Sequence, residues 1–394
     1  MKRFLKMAKF LIIMILIVFV LSEIILNIYI IYFASNKQLE EIASIRQLIF
    51  LMNKHKTRFS LSPHPYTQFI SAPNYVDGCN QHNSVGMRGG EITEKKDGEI
   101  WIACLGESTT YDCYVGCWEN SYPAQLEKAL NNRGIKAKVL NAGVNGWTSF
   151  EILIDYELRV CKYPIDYVIY YGGLNDITLT RMVYPVPKNY RELDISQVRG
   201  GMDIALSYPF WENSAVLRIL GVKFFGKSTH YDLFISQPKE INRLKEFMLQ
   251  LVSGKYPDGI FKQAPIEKIL SMNPPVWFEN NIRNIIYVSR GRGIKPVLLS
   301  YIFYNSRDYD KNSQISIPAE LDKFLDVLSV GVEEMNKKLY EVSQQENVPF
   351  YDLQSEYPRE REFFNDFIHN SDKGAELKAQ LVCEYLIKEV LPSP

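Results

Sequence analysis

Between residues 99 and 171, short apolar runs alternate with amphipathic stretches, and this rhythm constrains the fold more than any other feature. Ile100–Leu105 is a continuous apolar run of strand length, suited to a strand buried on both faces. Ser121 and Pro123 mark a helix start, Leu126 and Leu130 share one face, and Gly134 marks the stop. Lys138–Ala142 is a second short strand, a helix follows over Ser149–Cys161, and Tyr167–Tyr171 is a third strand. Strand, helix, strand, helix, strand implies a parallel sheet with right-handed crossovers. The rhythm lapses over 181–273, a stretch rich in proline and aromatics that reads as an insertion with some helix of its own near Glu240–Leu251. It then resumes with a helix over Val276–Arg290, a strand over Lys295–Ile302, a helix over Leu321–Gln345, a strand over Val348–Leu353 and a last helix over Asp372–Val390 capped by Ser371.

The first forty residues are of another kind. Lys2, Arg3, Lys6 and Lys9 precede an apolar run from Phe10 to Phe33, interrupted by Ser22, Glu23 and Asn27. At about 1.5 Å per residue such a helix is roughly 36 Å long, enough for a hydrocarbon core of about 30 Å. The expectation is a retained single-pass anchor over residues 1–36, with its basic tip cytoplasmic and everything after it outside. An acid in mid-bilayer costs about 2.5–3.5 kcal/mol. Either the span slides to Leu5–Ser22, leaving Glu23 at the outer interface, or Glu23 has a partner. Residues 37–98 read as a polar helix followed by an extended, proline-bearing leader, in which His64 and His82 are surface loop residues.

Composition narrows the function classes. The chain has 394 residues, and its 45 basic and 45 acidic side chains cancel, which leaves no electrostatic footprint for nucleic acid. Its six cysteines would sit in an oxidising compartment. Cys104 and Cys383 read as buried and free, two of Cys79, Cys113 and Cys117 are placed to pair, and their spacing shows no zinc pattern.

In open parallel sheets ligands bind beyond the carboxyl ends of the strands. Three corners lie there: GESTT after the first strand, NAGVNG after the second and GGLND after the third. Each alone is ordinary turn chemistry. Together they offer what acyl transfer needs, a hydroxyl nucleophile and donors for the oxyanion. Ser108 is the candidate nucleophile; its N–H, the N–H of Gly143 and the side-chain amide of Asn175 are the candidate oxyanion donors. A serine needs a base, and of five histidines only His369 follows the last sheet strand, with Asp366 three residues before it to hold its tautomer.

GESTT, NAGVNG, Gly173–Asp176 (GLND) and Asp366–His369 (DFIH) resemble, in order and spacing, four motif blocks of the SGNH/GDSL hydrolase superfamily. The likeness covers roughly 99–394 outside the insertion. It implies a flavodoxin-like three-layer α/β/α sandwich, no metal and no organic cofactor. It also implies a site with Ser108 as nucleophile, His369 as base, Asp366 orienting it, and Ser108, Gly143 and Asn175 around the oxyanion. Glu107 stands where the family expects aspartate. A G-x-S-x-G elbow is absent, which argues against the larger α/β-hydrolase fold. The leader HPYTQFISAPNY and HNSVGMRGGE is similar to that of anchored bacterial SGNH proteins.

The expected function is an extracytoplasmic serine esterase removing O-acyl groups from a cell-envelope carbohydrate, with the aromatics of the insertion walling its cleft. An O-acetyltransferase working with an envelope-assembly partner, and a catalytically silent glycan- or partner-binding protein, are the alternatives.

Overall fold

The computed structural model describes residues 2–35, 38–39, 42–44, 47, 50–51, 60–64, 66–181, 213–225, 270, 274–304 and 322–392. Most of the insertion expected over 181–273, including the helix near Glu240–Leu251, therefore lies outside the described residues. The chain divides into two compact units, Met1–Tyr75 with Ile204–Glu240, and Val76–Asp203 with Ile241–Pro394.

In the second unit the apolar runs become a five-stranded parallel sheet. Its strands are β1 (Ile100–Gly106), β2 (Ala137–Gly143), β3 (Tyr167–Tyr171), β4 (Lys295–Leu299) and β5 (Phe350–Tyr351). They lie in the order β2-β1-β3-β4-β5. β1 pairs in parallel with β2 on one side and β3 on the other, so the order reverses at β1. All five residues of β3 are buried, which is why it reads as an unbroken apolar run. Each fully buried aliphatic side chain in such a strand contributes about 1.5–3 kcal/mol.

The one-turn helix α1 (Ser108–Tyr111) follows β1 directly. Next come α2 (Tyr122–Asn132), α3 (Ser149–Leu158), α4 (Val276–Gly291), α5 (Asp322–Glu346) and α6 (Asp372–Tyr385). α2 packs on α6, while α3 packs on α4 and α4 on α5. These helices flank the sheet and complete the three-layer sandwich expected from the sequence. Local signals explain several boundaries. Thr148 and Glu151 close a capping box at the start of α3, and the Ser371 hydroxyl accepts from the Gly374 N–H at the start of α6.

Three readings need correction. β4 stops at Leu299 rather than Ile302, because the next backbone N–H groups go to side chains: Tyr301 N–H to Asn336 and Phe303 N–H to Gln354. β5 shrinks to two residues, since Asp352 turns to accept from the Ser300 hydroxyl and Leu353 opens a helical turn. His82 is buried rather than on the surface, with its Nε2 2.8 Å from the Tyr111 hydroxyl.

In the first unit a helix runs from Lys2 to Tyr32. The leader then pairs Leu61–His64 with Gln68–Ser71 as an antiparallel ribbon. Gln38, Leu39, Ile42, Gln47, Phe50 and Leu51 are helical, in line with a helix leaving the first one. A small core gathers Ile30, Leu39, Ala43, Ala72 and Ala215, the last from a helix over Ala215–Phe225.

Candidate active site

The apolar run of β1 breaks at Gly106 because no side chain fits there. A Cβ at this position would stand 2.0 Å from the Tyr171 carbonyl oxygen and 2.2 Å from Thr110 Oγ1. The chain then turns into α1, whose N-cap is Glu107, so Ser108 is the first helical residue and neither Ser108 nor Thr109 caps the helix. Thr110 ties the turn to the end of β3 by donating to the Tyr171 carbonyl at 3.0 Å. The N–H of Ser108, in the first turn, has no intrahelical acceptor.

His369 arrives from the loop before α6. Its Nε2 lies 2.8 Å from Ser108 Oγ and its Nδ1 lies 2.7 Å from Asp366 Oδ2. The three-residue interval closes as a tight turn, in which Asp366 Oδ1 accepts the backbone N–H groups of Ile368 at 2.8 Å and His369 at 2.7 Å. Segments 261 residues apart thus meet at one hydroxyl. Burial pushes the Asp366 carboxyl up, but the His369 charge and these hydrogen bonds outweigh it and hold it below the usual carboxylate range. Burial pushes His369 down, but Asp366 and the neighbouring Cys113 outweigh that, and the imidazole titrates well above the usual histidine range. The ring of Tyr114 meets the imidazole edge-on at 4.7 Å between centroids.

The other two predicted residues, Gly143 and Asn175, both make hydrogen bonds within the protein. The Gly143 N–H donates to Asn141 Oδ1 at 3.0 Å, so it is already engaged. What requires glycine there is packing: a Cβ would lie 2.3 Å from the backbone nitrogen of Tyr111. The Asn175 side-chain amide donates to the Trp147 carbonyl at 2.9 Å; its second N–H has no protein acceptor among the described residues.

Four further residues, none of them predicted as a site residue, shape this corner. Glu107 is buried beneath the Gly173 turn and accepts the N–H of Gly173 at 2.5 Å and that of Asn175 at 3.2 Å and 3.3 Å. Gly173 has φ +137°, a conformation that side-chain-bearing residues rarely adopt. Burial first, and then the nearby Asp176 charge, push the Glu107 carboxyl up to about 8. Asp176 is itself pushed up by burial to about 7, although it accepts the N–H and hydroxyl of Ser149 at 2.8 Å and 2.5 Å. These bonds fasten the block carrying Asn175 to the start of α3.

Lys378, fully buried, donates to the Thr109 carbonyl at 2.8 Å and lies 3.6 Å from Asp112. Its ammonium sits over the rings of Tyr122 and Tyr171, at 4.2 Å and 4.7 Å. Arg88 donates to the carbonyls of Asp112 at 2.7 Å and Val115 at 2.8 Å, and so holds the loop after α1 from the other side. A signal existed for Lys378, a lysine within the apolar stripe of Ala375, Ala379 and Val382. None existed for Arg88, whose carbonyl partners Asp112 and Val115 lie more than twenty residues away. Cys79 and Cys117 are disulfide-bonded, which leaves Cys113 free beside His369. Cys104 and Cys383 are buried and free, as expected. Among the described residues no group of three or more His, Cys, Asp or Glu side chains could hold a metal ion.

Residues 104–201 match the GDSL-like Lipase/Acylhydrolase family. No curated protein matches the chain. Similar solved structures include a lipase/acylhydrolase from Enterococcus faecalis, 16% identical, covering 73% of this chain and 95% of that one at a TM-score of 0.38. A GDSL-like lipase from Bacteroides thetaiotaomicron is 11% identical, covering 76% and 93%, at 0.38. A mutant of an acetyl-xylooligosaccharide esterase from Geobacillus Stearmophilus is 13% identical, covering 75% and 97%, at 0.40.

Proposed function

We propose, from the premise that this chain is an SGNH/GDSL-type serine hydrolase, that it is an extracytoplasmic esterase which removes small O-acyl groups, acetyl above all, from a cell-envelope carbohydrate. The observation that carries the reading is the line from Asp366 through His369 to Ser108 Oγ, with both links at hydrogen-bond length.

The chemistry follows from that line. Ser108 Oγ attacks the ester carbonyl carbon as its proton passes to His369 Nε2. Asp366, kept ionised, stabilises the imidazolium and fixes Nδ1 as the protonated nitrogen. The carbonyl oxygen becomes an oxyanion, for which the Ser108 N–H and the second amide hydrogen of Asn175 are the donors. Gly143 takes part only by releasing Asn141. When the intermediate collapses, the sugar hydroxyl leaves with the proton from His369 and an acyl-enzyme remains. Water attacks that ester with His369 again as base, and the acid is released.

The location rests on the helix Lys2–Tyr32, whose 30 residues from Arg3 are long and apolar enough to cross a membrane and whose first turns carry Lys2, Arg3, Lys6 and Lys9. Tethered outside, the enzyme faces envelope glycan, and Tyr114 offers an exposed ring beside the base on which a sugar can stack. A fluorophosphonate probe should label Ser108 in the full chain, and acetate should be released from envelope fractions by the wild type but not by Ser108→Ala. Probe labelling at another residue, or acetate release that survives the substitution, would contradict the reading. Acetate appearing on an added oligosaccharide instead of in solution would make the protein a transferase with the same triad.

A further inference from the structure

Glu23, the acid that interrupts the apolar N-terminal run, has partners. Its carboxylate accepts the hydroxyl of Ser214 and the backbone N–H groups of Ala215 at 2.9 Å and Val216 at 3.1 Å. It thereby occupies the N-terminal end of the helix Ala215–Phe225, where unsatisfied N–H groups and the helix dipole favour a negative charge. Asn27, one turn on, donates to Glu23 and accepts from Gln47 at 2.7 Å. Gln47 in turn accepts from Arg218 at 2.9 Å, and Arg218 also donates to the Ile42 carbonyl at 2.9 Å. Glu23 and Asn27 thus both find partners inside this unit, and Arg218, whose charge opposes that of the acid, is buried.

A helix whose first turn is bonded to position 23 of an anchor must lie at the depth of that position. Counting from Lys9, Glu23 is about 21 Å along the axis, so it falls in the outer part of a hydrocarbon core about 30 Å thick. Among the described residues, none in the apolar window of the N-terminal helix is buried. On the neighbouring helix, Leu220 and Phe224 stand one turn apart and are exposed, Phe224 at 67%. Lys223 beside them has its ammonium 5.9 Å from the Phe224 ring centroid, and its long stem can carry that charge to the headgroups.

We propose that Ser214–Phe225 is a second, lipid-facing helix, docked on the anchor through Glu23 and seated in the outer leaflet with Leu220 and Phe224 against acyl chains. At least this part of the insertion then serves the membrane attachment rather than a cleft wall. The proposal rests on the anchor being membrane-embedded, and its test separates the two.

The full-length chain is placed in lipid bilayer discs containing a traceable phospholipid, with the photoreactive residue benzoylphenylalanine at Leu220, at Phe224, at Ile17 in the anchor, or at the exposed Tyr340. Irradiation should give lipid adducts at 220 and 224 within about threefold of the Ile17 yield, and none above background at Tyr340. Adducts at Ile17 alone, or adducts from 220 and 224 only to protein (another segment or a second copy), would overturn the lipid-facing helix while leaving the anchor intact. No lipid adduct at Ile17 would sink the anchor itself. In the Glu23→Leu background the yields at 220 and 224 should drop several-fold with Ile17 unchanged, whereas Glu23→Gln, which keeps an acceptor, should retain most of them. Unchanged yields with Glu23→Leu would overturn the docking through Glu23.

Discussion

Two buried carboxyls flank the turn that presents Ser108, and their surroundings push them in opposite directions. Asp366 lies against an imidazole and two backbone N–H groups and is held ionised. Glu107 also accepts backbone N–H groups, but its neighbouring charge is Asp176, of the same sign, and it is raised to about 8. Burial is common to both, so the sign of the nearest charge decides the outcome. The first carboxyl is arranged to do electrostatic work on a base. The second is arranged to hold a loop, a task that a neutral side chain with the same acceptors can do.

The largest effects that bear on this contrast come from the groups Asp366 serves. Ser108→Ala and His369→Ala should each lower kcat for a small acetyl ester by about 10⁴–10⁶ with unchanged circular dichroism. A residual rate within tenfold of wild type would remove the catalytic role from this corner.

Asp366→Asn should cost roughly 10⁴ in kcat through the wrong imidazole tautomer. It should also move the acid limb of the pH–rate profile. Attack needs the neutral imidazole, so the wild-type rate rises with pH through the raised His369 pKa. Without the carboxylate that pKa falls, and the limb should shift to lower pH. A limb that stays in place would mean that Asp366 does not set it.

Asn175→Ala should lower kcat by about 10²–10³ with little change in KM, as for a single oxyanion donor. A loss confined to KM would reassign it to substrate binding.

Glu107→Gln should be the mildest for catalysis, with kcat within a few-fold of wild type. Its signature is in stability. A carboxyl raised to about 8 in the folded state binds its proton more tightly there than in the unfolded chain. Its contribution is therefore fully present below about pH 4.5 and is lost as pH climbs through about 8. Asp366 runs the other way; its contribution is present above the ordinary carboxylate pKa and lost as pH falls through its depressed value. Urea unfolding between pH 5 and 8 should show a shallower decline in Glu107→Gln than in wild type. Identical slopes would mean that Glu107 is ionised like Asp366, and the contrast would collapse.

What could be read in the letters divides along the same lines. The strands were legible because each is built around a short apolar run, and the starts of α3 and α6 because their caps are local. Asp366 and His369 were legible as a pair because three residues suffice to join them. The seats of Gly143 and Asn175 were not, because their hydrogen bonds go to Asn141 and Trp147, and which donor turns inward depends on neighbours brought up by the fold. His82 could not be placed in the core without knowing that Tyr111 would cover it. Glu23 read as either interfacial or partnered, and the sequence could not choose, because Ser214 lies 191 residues away.

The sequence by itself determined the alternation that makes a parallel sheet, the apolar N-terminal helix, and which residue types stand at the strand ends, since periodicity, length and capping act over a few residues. Only the tertiary structure decided that His369 touches Ser108, that Glu107 and Asp366 titrate in opposite directions, and that Cys79 pairs with Cys117. Those outcomes depend on through-space distance and local dielectric, which separation along a chain does not encode.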